Sequence, residues 1–315
     1  MTDVLEAPEH PHDPEFRCAP WTQAQGVDPI GSAGSFDAVL LVEWPLPWPH
    51  DVSEIPALAH AAANPGAQLL TVVPQHDHTG DGLLRVVHRR RARTNHMPGV
   101  DHCVPMADIP ELLATLLEDP LADSATLASA VGESPPEVLV CAHGRRDPCC
   151  GRWGTLLHIE LAARGTVARV WRCSHTGGHR FAPTAITFPE GRAWAYMDAD
   201  LLDGVVRRTA DVRTLATHDR GTTGLDLWAQ AAERALFEEA GWAWLTENIT
   251  SATTRVSADG KSAEVILEWS GERATAEVEV SRVLPVLRCG QPPDQAQKTS
   301  PELRLRALRV EATNT

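Results

Sequence analysis

Three of the seven cysteines in this chain fall within one short stretch, "CAHGRRDPCCGRWG", which holds Cys141, Cys149 and Cys150. About twenty residues later "CSHTGGHRFAP" supplies His175 and His179 on either side of a Gly-Gly pair. Thiolate and imidazole are the ligands that iron and zinc prefer. Cys141 and Cys150 make C-x8-C, Cys141 and Cys149 make C-x7-C, and the histidines make H-x3-H. A thiol must lose its proton to bind. Cys150 stands just before a predicted helix, where the dipole and Arg145, Arg146 and Arg152 favour a thiolate. Gly177 and Gly178 tolerate backbone angles that other residues resist, which lets the two histidines turn toward one point.

The surrounding pattern predicts how these residues are held. "VLVC" reads as a strand ending at Cys141. Residues 152 to 164 read as a helix with Trp153, Leu156, Leu157 and Leu161 on one face. "TVARVWRC" is the next strand. "TAITF" and "RAWAYM" form a hairpin around Pro189-Glu190-Gly191. "DADLLDGVVRRT" is a helix capped by Asp198. This β-α-β-β-β-α order is the thioredoxin-type order. Upstream, "FDAVLLVE", "QLLTVVP" and "GLLRVVH" read as strands, and residues 53 to 63 and "DIPELLATLLED" as helices, giving a second α/β layer. Downstream, "GLDLWAQAAERALFEEAG" is an amphipathic helix, followed by three alternating strands with turns at Asp259-Gly260 and Ser270-Gly271. Residues 290 to 301 read as a loop. The expected organisation is a disordered lead-in (1–15), an α/β domain (16–133), a thioredoxin-like domain (134–212) and a C-terminal helix plus antiparallel meander (213–315). No repeat with a period of 20 to 50 residues is visible.

Bulk properties narrow the classes. The net charge of -14 argues against non-specific nucleic-acid or anionic-membrane binding. No run approaches about 18 apolar residues, so no membrane span is expected. The acidic, proline-rich start has no signal-peptide pattern. A cytoplasmic location follows as the expectation, and there clustered cysteines point to metal or redox chemistry instead of structural disulfides. No nucleotide, flavin or acyl-transfer motif is present, and no carboxylate pair stands out for glycoside hydrolysis.

"VCAHGRRDPCCGRWG" followed by "CSHTGGHRFAP" resembles the signature of the sucrase/ferredoxin-like family, the thioredoxin-like ferredoxins of the actin-patch-distribution type. "GSAGSFDAVLLVEWPLPWP" and "RGTTGLDLWAQAAE" extend the resemblance over roughly residues 16 to 240. In that family two cysteines in C-x8-C and two histidines in H-x3-H hold a [2Fe–2S] cluster. The matching positions here are Cys141, Cys150, His175 and His179. The resemblance therefore implies one-electron transfer or redox sensing with a redox partner protein, a reductase or an acceptor, instead of an enzyme acting on its own substrate. Two Cys and two His is also the ligand set of Rieske centres, where imidazole raises the potential.

Other readings of the same residues stay open. Zinc accepts Cys2His2, although its usual first pair is C-x2-4-C, so a zinc-stabilised interaction module is the first alternative. A thiol oxidoreductase is the second, although no C-x-x-C is present. His143 reads as a supporting group, Cys173 as a packed thiol near the site, and Cys18, Cys103 and Cys289 as isolated. "QHDHTGD", with His76, Asp77 and His78, reads as a solvated turn. The basic run "HRRRARTNH" at 88 to 96 reads as a solvated face or a dock for an acidic partner. Arg145, Arg146, Arg152 and Arg180 are candidates for docking or for donors to cluster sulfur. Oligomeric state is open.

Overall fold

The computed structural model describes residues 16–75, 82–118, 124–291 and 295–313. The lead-in expected at 1–15 and the turn with His76, Asp77 and His78 lie outside the described residues. The chain is a mixed α/β structure with a ten-stranded sheet and a separate four-stranded sheet.

The large sheet is two copies of one topology. In the first half, β1 (Ala38–Glu43) and β2 (Ala67–Val72) are parallel, with a short helix α2 (Ala59–Ala62) in the crossover; β3 (Leu83–Arg90) pairs antiparallel with β1, β4 (Gly99–Pro105) pairs with β3, and helix α3 (Ile109–Glu118) follows. In the second half, β6 (Glu137–Cys141) and β7 (Arg169–Cys173) are parallel around α4 (Thr155–Ala163); β8 (Ala185–Phe188) pairs antiparallel with β6, β9 (Arg192–Trp194) pairs with β8, and α5 (Ala199–Val206) follows. The short β5 (Ala130–Glu133) extends the first half and β10 (Asp219–Thr222) the second. The halves join edge to edge, β2 antiparallel to β7, through the register pair Val72 and Cys173 at the C-terminal ends of both strands. Each half thereby covers an edge that would otherwise offer unpaired backbone groups.

Alternation along the strands sorts two faces. Val39 and Leu41 point inward with Val87, Leu139, Trp171, Ile186 and Phe188, forming one core shared by both halves. Leu40 and Val42 point outward to α3, and Val138 and Val140 to α4, α5 and the C-terminal region. The sheet curls to bring its inner faces together. Four strand spacings separate β3 from β6, about 19 Å in a flat sheet, yet Arg89 Nε donates to Glu137 at 2.7 Å.

That contact belongs to a buried network. Glu137 also accepts from Arg169 Nε at 2.8 Å and from Trp171 Nε1 at 2.7 Å, and Arg169 Nη2 donates to Asp101 at 2.8 Å. The basic run at 88 to 96 is therefore divided: His88, Arg89 and Arg91 turn into the protein, while Arg93 and His96 stay on the exposed face. Arg89 is 1% exposed, and Arg91 donates to Thr94, Phe36 and Thr223. His88, in the same run, is buried, and burial with the nearby Arg90 and His102 pulls its pKa from 6.5 down to about 4. The unfolded chain takes up this proton below about pH 6.5, whereas the folded chain resists until about pH 4. Stability is therefore expected to fall by up to about 3 kcal/mol as pH drops across that window. Urea denaturation at pH 7 and pH 4.5 should show the loss, and His88→Gln should reduce it.

The C-terminal region differs from the three strands expected. Four strands pair in sequence order, β11 (Ile249–Val256), β12 (Ser262–Trp269), β13 (Glu272–Pro285) and β14 (Thr299–Ala312). Helix α7 (Leu227–Ala240), capped by Asp226 with bonds to the Trp228 and Ala229 amides, packs Trp228, Ala232 and Leu236 against Val265, Leu267 and Ala274. β12 ends its pairing at Glu279, so beyond that residue β13 and β14 continue as a two-stranded arm. This arm carries Leu287 and Cys289 toward the cysteine loop. Two further expectations shift. The helix expected over 53–63 is only a 3-10 turn at Val52–Glu54 followed by α2. Leu156 is 51% exposed, while Leu157 and Leu161 are buried.

Candidate metal centre

The cysteine loop leaves the end of β6 and enters α4 through a π-helical turn, Cys150–Gly154. Close backbone packing sets this geometry. A Cβ at Gly154 would lie 1.9 Å from the carbonyl oxygen of Cys141, and one at Gly151 would lie 2.4 Å from Cα of Gly144. Asp147 caps the turn, its Oδ1 accepting from the amides of Cys149 (2.8 Å) and Cys150 (3.4 Å). Gly154→Ala is expected to cost about 3 kcal/mol or more, because the obstructing atom is backbone. Gly34→Ala, whose Cβ would meet nothing nearer than 3.9 Å, should be near neutral in the same urea titration.

The structure brings three of the four sequence candidates together. The ligating atoms of Cys141, Cys150 and His175 lie within 4.8 Å of one another. Cys141 Sγ is 3.7 Å from His175 Nδ1. Both thiols are fully buried. The hydrogen bond with Cys150, aided by His175, holds the Cys141 thiol well below its ordinary pKa, and the same hydrogen bond, with burial and the Cys141 charge, pushes Cys150 up. The fourth candidate, His179, stands beside His175 with ring centroids 5.8 Å apart. Its Nε2 lies 2.9 Å from the carbonyl oxygen of Leu287, on the connection from the β13–β14 arm. A carbonyl only accepts, so Nε2 carries the hydrogen and Nδ1 keeps the lone pair. Gly177 and Gly178 adopt left-handed angles, φ +83° and +72°, as the Gly-Gly pair suggested.

Supporting groups surround this cluster. His143 is buried; its Nε2 donates to the Pro49 carbonyl at 2.8 Å, Trp48 packs edge-on, and Nδ1 has no partner among the described residues. Cys173 is a packed thiol in the shared core, in register with Cys141, and burial raises its pKa. Arg220 escaped sequence reading. It is 1% exposed, its Nη1 donates to the Gly177 carbonyl at 3.2 Å and its Nη2 to that of Ser32 at 2.6 Å. It holds a buried positive charge under the histidine turn; only its place in "RGTTG" hinted at this. Arg180 is also buried, over the Phe181 ring. Arg146 reaches His50 and Asp51, while Arg145 and Arg152 are exposed.

Sequence reasoning missed a second cluster. Cys149, the alternative ligand in C-x7-C, faces away from Cys141. Together with Cys18, Asp147 and Cys289 it forms the larger metal-competent group among the described residues, a Cys3Asp set and not the Cys2His2 set the spacing suggested. Cys18 and Cys289, expected to be isolated, are brought in by helix α1 (Cys18–Ala24) and by the connection after β13.

The site thus consists of buried cysteine-rich groups that could hold metal, set at the strand ends of a curled mixed α/β sheet. The chain belongs to the sucrase/ferredoxin-like family, whose model matches residues 29–221. No curated protein and no solved structure matches it. Among the described residues, no helix is long and apolar enough to cross a membrane.

Proposed function

We propose that the second half of the sheet is a thioredoxin-like ferredoxin unit in which Cys141, Cys150, His175 and His179 hold a [2Fe–2S] cluster for one-electron transfer or redox sensing. The family and the β-α-β-β-β-α order support this reading. The observation that carries it is the donor arrangement: two buried thiols face an imidazole, and a second imidazole has its outer nitrogen already committed. Metal-bound histidines regularly donate the other ring N–H to a carbonyl or carboxylate. His179 does so to Leu287, which leaves Nδ1 for the metal.

When bound, such a cluster supplies one-electron chemistry at a potential that the ligands set. The protein's part is division by side. The cysteine side is sealed from water, whereas His175 reaches a cleft of about 490 Å³ lined also by His50, Gln68, His143 and Arg146. Two thiolates bring less negative charge than four, and the buried Arg220 adds a positive one, so both favour accepting an electron. The exposed Arg145 and Arg152 offer a basic patch on an acidic protein, suited to an acidic redox partner.

Anaerobically purified protein should be red-brown, with about two iron and two sulfide per chain and visible bands that bleach with dithionite. Its midpoint potential should fall with rising pH between about pH 6 and 9, approaching about 59 mV per unit for one coupled proton. Colourless protein whose Cys141 and Cys150 bind zinc would replace this reading with the interaction-module one.

A further inference from the structure

We infer that Cys18, Asp147, Cys149 and Cys289 form a second metal site, a structural Zn2+ site that ties the segments around Cys18 and Cys289 to the cysteine loop. The four donors lie close enough to share one ion, with the Cys149–Cys289 pair having to open on binding. Around tetrahedral zinc, bond lengths of about 2.3 Å to sulfur and about 2.0 Å to oxygen place sulfurs about 3.8 Å apart and sulfur about 3.5 Å from oxygen. Here Cys18 and Cys149 sulfurs are 3.8 Å apart, Cys18 and Cys289 3.5 Å, and Cys149 and Cys289 3.1 Å. Asp147 closes the set through Oδ1, 3.9 Å from the Cys18 sulfur and 3.6 Å from the Cys289 sulfur.

The chemistry and surroundings agree with the spacing. Three thiolates and one carboxylate make a closed four-coordinate set, the form structural zinc takes. Asp147 Oδ1 is fixed by the amides of Cys149 and Cys150, which orients the carboxylate as supporting hydrogen bonds do at metal sites. Four ionised ligands would leave the ion net negative. The Arg180 guanidinium, 6% exposed, lies close enough to feel the charge of Cys18, and its Nη1 has no partner among the described residues.

The site has a structural task. Cys18 and Cys289 both lie outside residues 29–221, so segments on either side of the family-matched region meet at the cysteine loop. Cys149 adjoins Cys150, and the segment that brings Cys289 also brings the Leu287 carbonyl to His179. One ion would thus fix a cysteine neighbour and a histidine support of the first cluster, while binding nothing of it directly.

Metal analysis of the full chain, purified under reducing conditions and dialysed against EDTA, is expected to give one zinc per chain. Cys18→Ser and Cys289→Ser should each lose it. Cys141→Ser should keep it, whatever happens to iron, so failure here is distinguishable from failure of the ferredoxin reading. Cobalt substituted into unmutated chain should give the intense d–d and thiolate charge-transfer bands of a tetrahedral thiolate-rich site, which does not depend on variants folding. Wild type without zinc, zinc that leaves with Cys141→Ser, or a Cys149–Cys289 disulfide in peptide maps of the reduced preparation would each overturn the inference.

Discussion

Cys150→Ala is expected to take iron from about two per chain to near none, while Cys149→Ala keeps the iron and the visible bands. The residues are adjacent and both buried, so burial cannot separate them. Direction does. The π-helical turn points the Cys150 sulfur at Cys141 and His175, and the Cys149 sulfur at Cys18 and Cys289. Removing Cys150 leaves three donors and a vacant coordination position next to a buried thiolate, and ligand loss of this kind ordinarily abolishes assembly. Removing Cys149 leaves all four proposed cluster ligands in place and costs only the second metal. Iron and zinc assays on the two variants therefore give opposite patterns. Iron lost from Cys149→Ala and kept by Cys150→Ala would move the ligand assignment by one residue.

Glu137→Ala should destabilise the fold by about 3 to 5 kcal/mol. The carboxylate is fully buried and accepts from Arg89, Arg169 and the Trp171 indole, so its removal leaves buried guanidinium groups without their counter-charge. Asp101 compensates only part of this through Arg169. Arg304 with Glu279 makes the contrast. That arginine is 60% exposed, and water and salt screen the pair, so breaking it is expected to cost far less than removing Glu137. Urea denaturation of Glu137→Ala and Glu279→Ala should show the difference, and an Arg89→Met, Glu137→Leu double variant should recover much of the loss. An effect below about 1 kcal/mol for Glu137→Ala would mean that the curled sheet does not depend on this tie.

Local signals carried much of the architecture. Val138, Leu139 and Val140 read as a buried strand because both faces of β6 are covered. Pro189-Glu190-Gly191 marked its hairpin, and Asp198 caps α5 through the Leu201 amide. What escaped depends on contacts between distant residues. Ala-rich 53–63 follows helix propensity, but Pro56 holds Ile55 in extended backbone (ψ 112°), so the segment packs Ile55 and Leu58 in the core without forming one helix. Arg89 and Arg91 looked as solvated as Arg93 and His96 because nothing near them in sequence reveals Glu137 or Thr223. Strand β14 carries Pro301 and follows a polar loop, and its partner β13 shifts register at Val278 and Arg282, so the pairing is invisible to a periodicity test. Cys18 and Cys289 are 271 residues apart, and no spacing rule reaches that far. The duplication is hidden for a similar reason, since the halves share connectivity and not residue types.

That duplication has an asymmetry with a use. Where β6 ends in Cys141 and the metal loop, β1 ends in Glu43, which accepts from the amides of Gln75 and Arg85 and is tied into its own half. The loop that follows it, residues 44–49, supplies Trp48 and the Pro49 carbonyl to His143 across the junction. The large sheet is in effect a dimer within one chain, in which one copy carries the candidate metal ligands and the other buttresses His143. A symmetric dimer must keep both copies of every loop competent for the same chemistry. Here the supporting copy is released from that demand, so residues 44–49 can be altered to adjust the environment of His143 while every ligand in the working copy stays fixed.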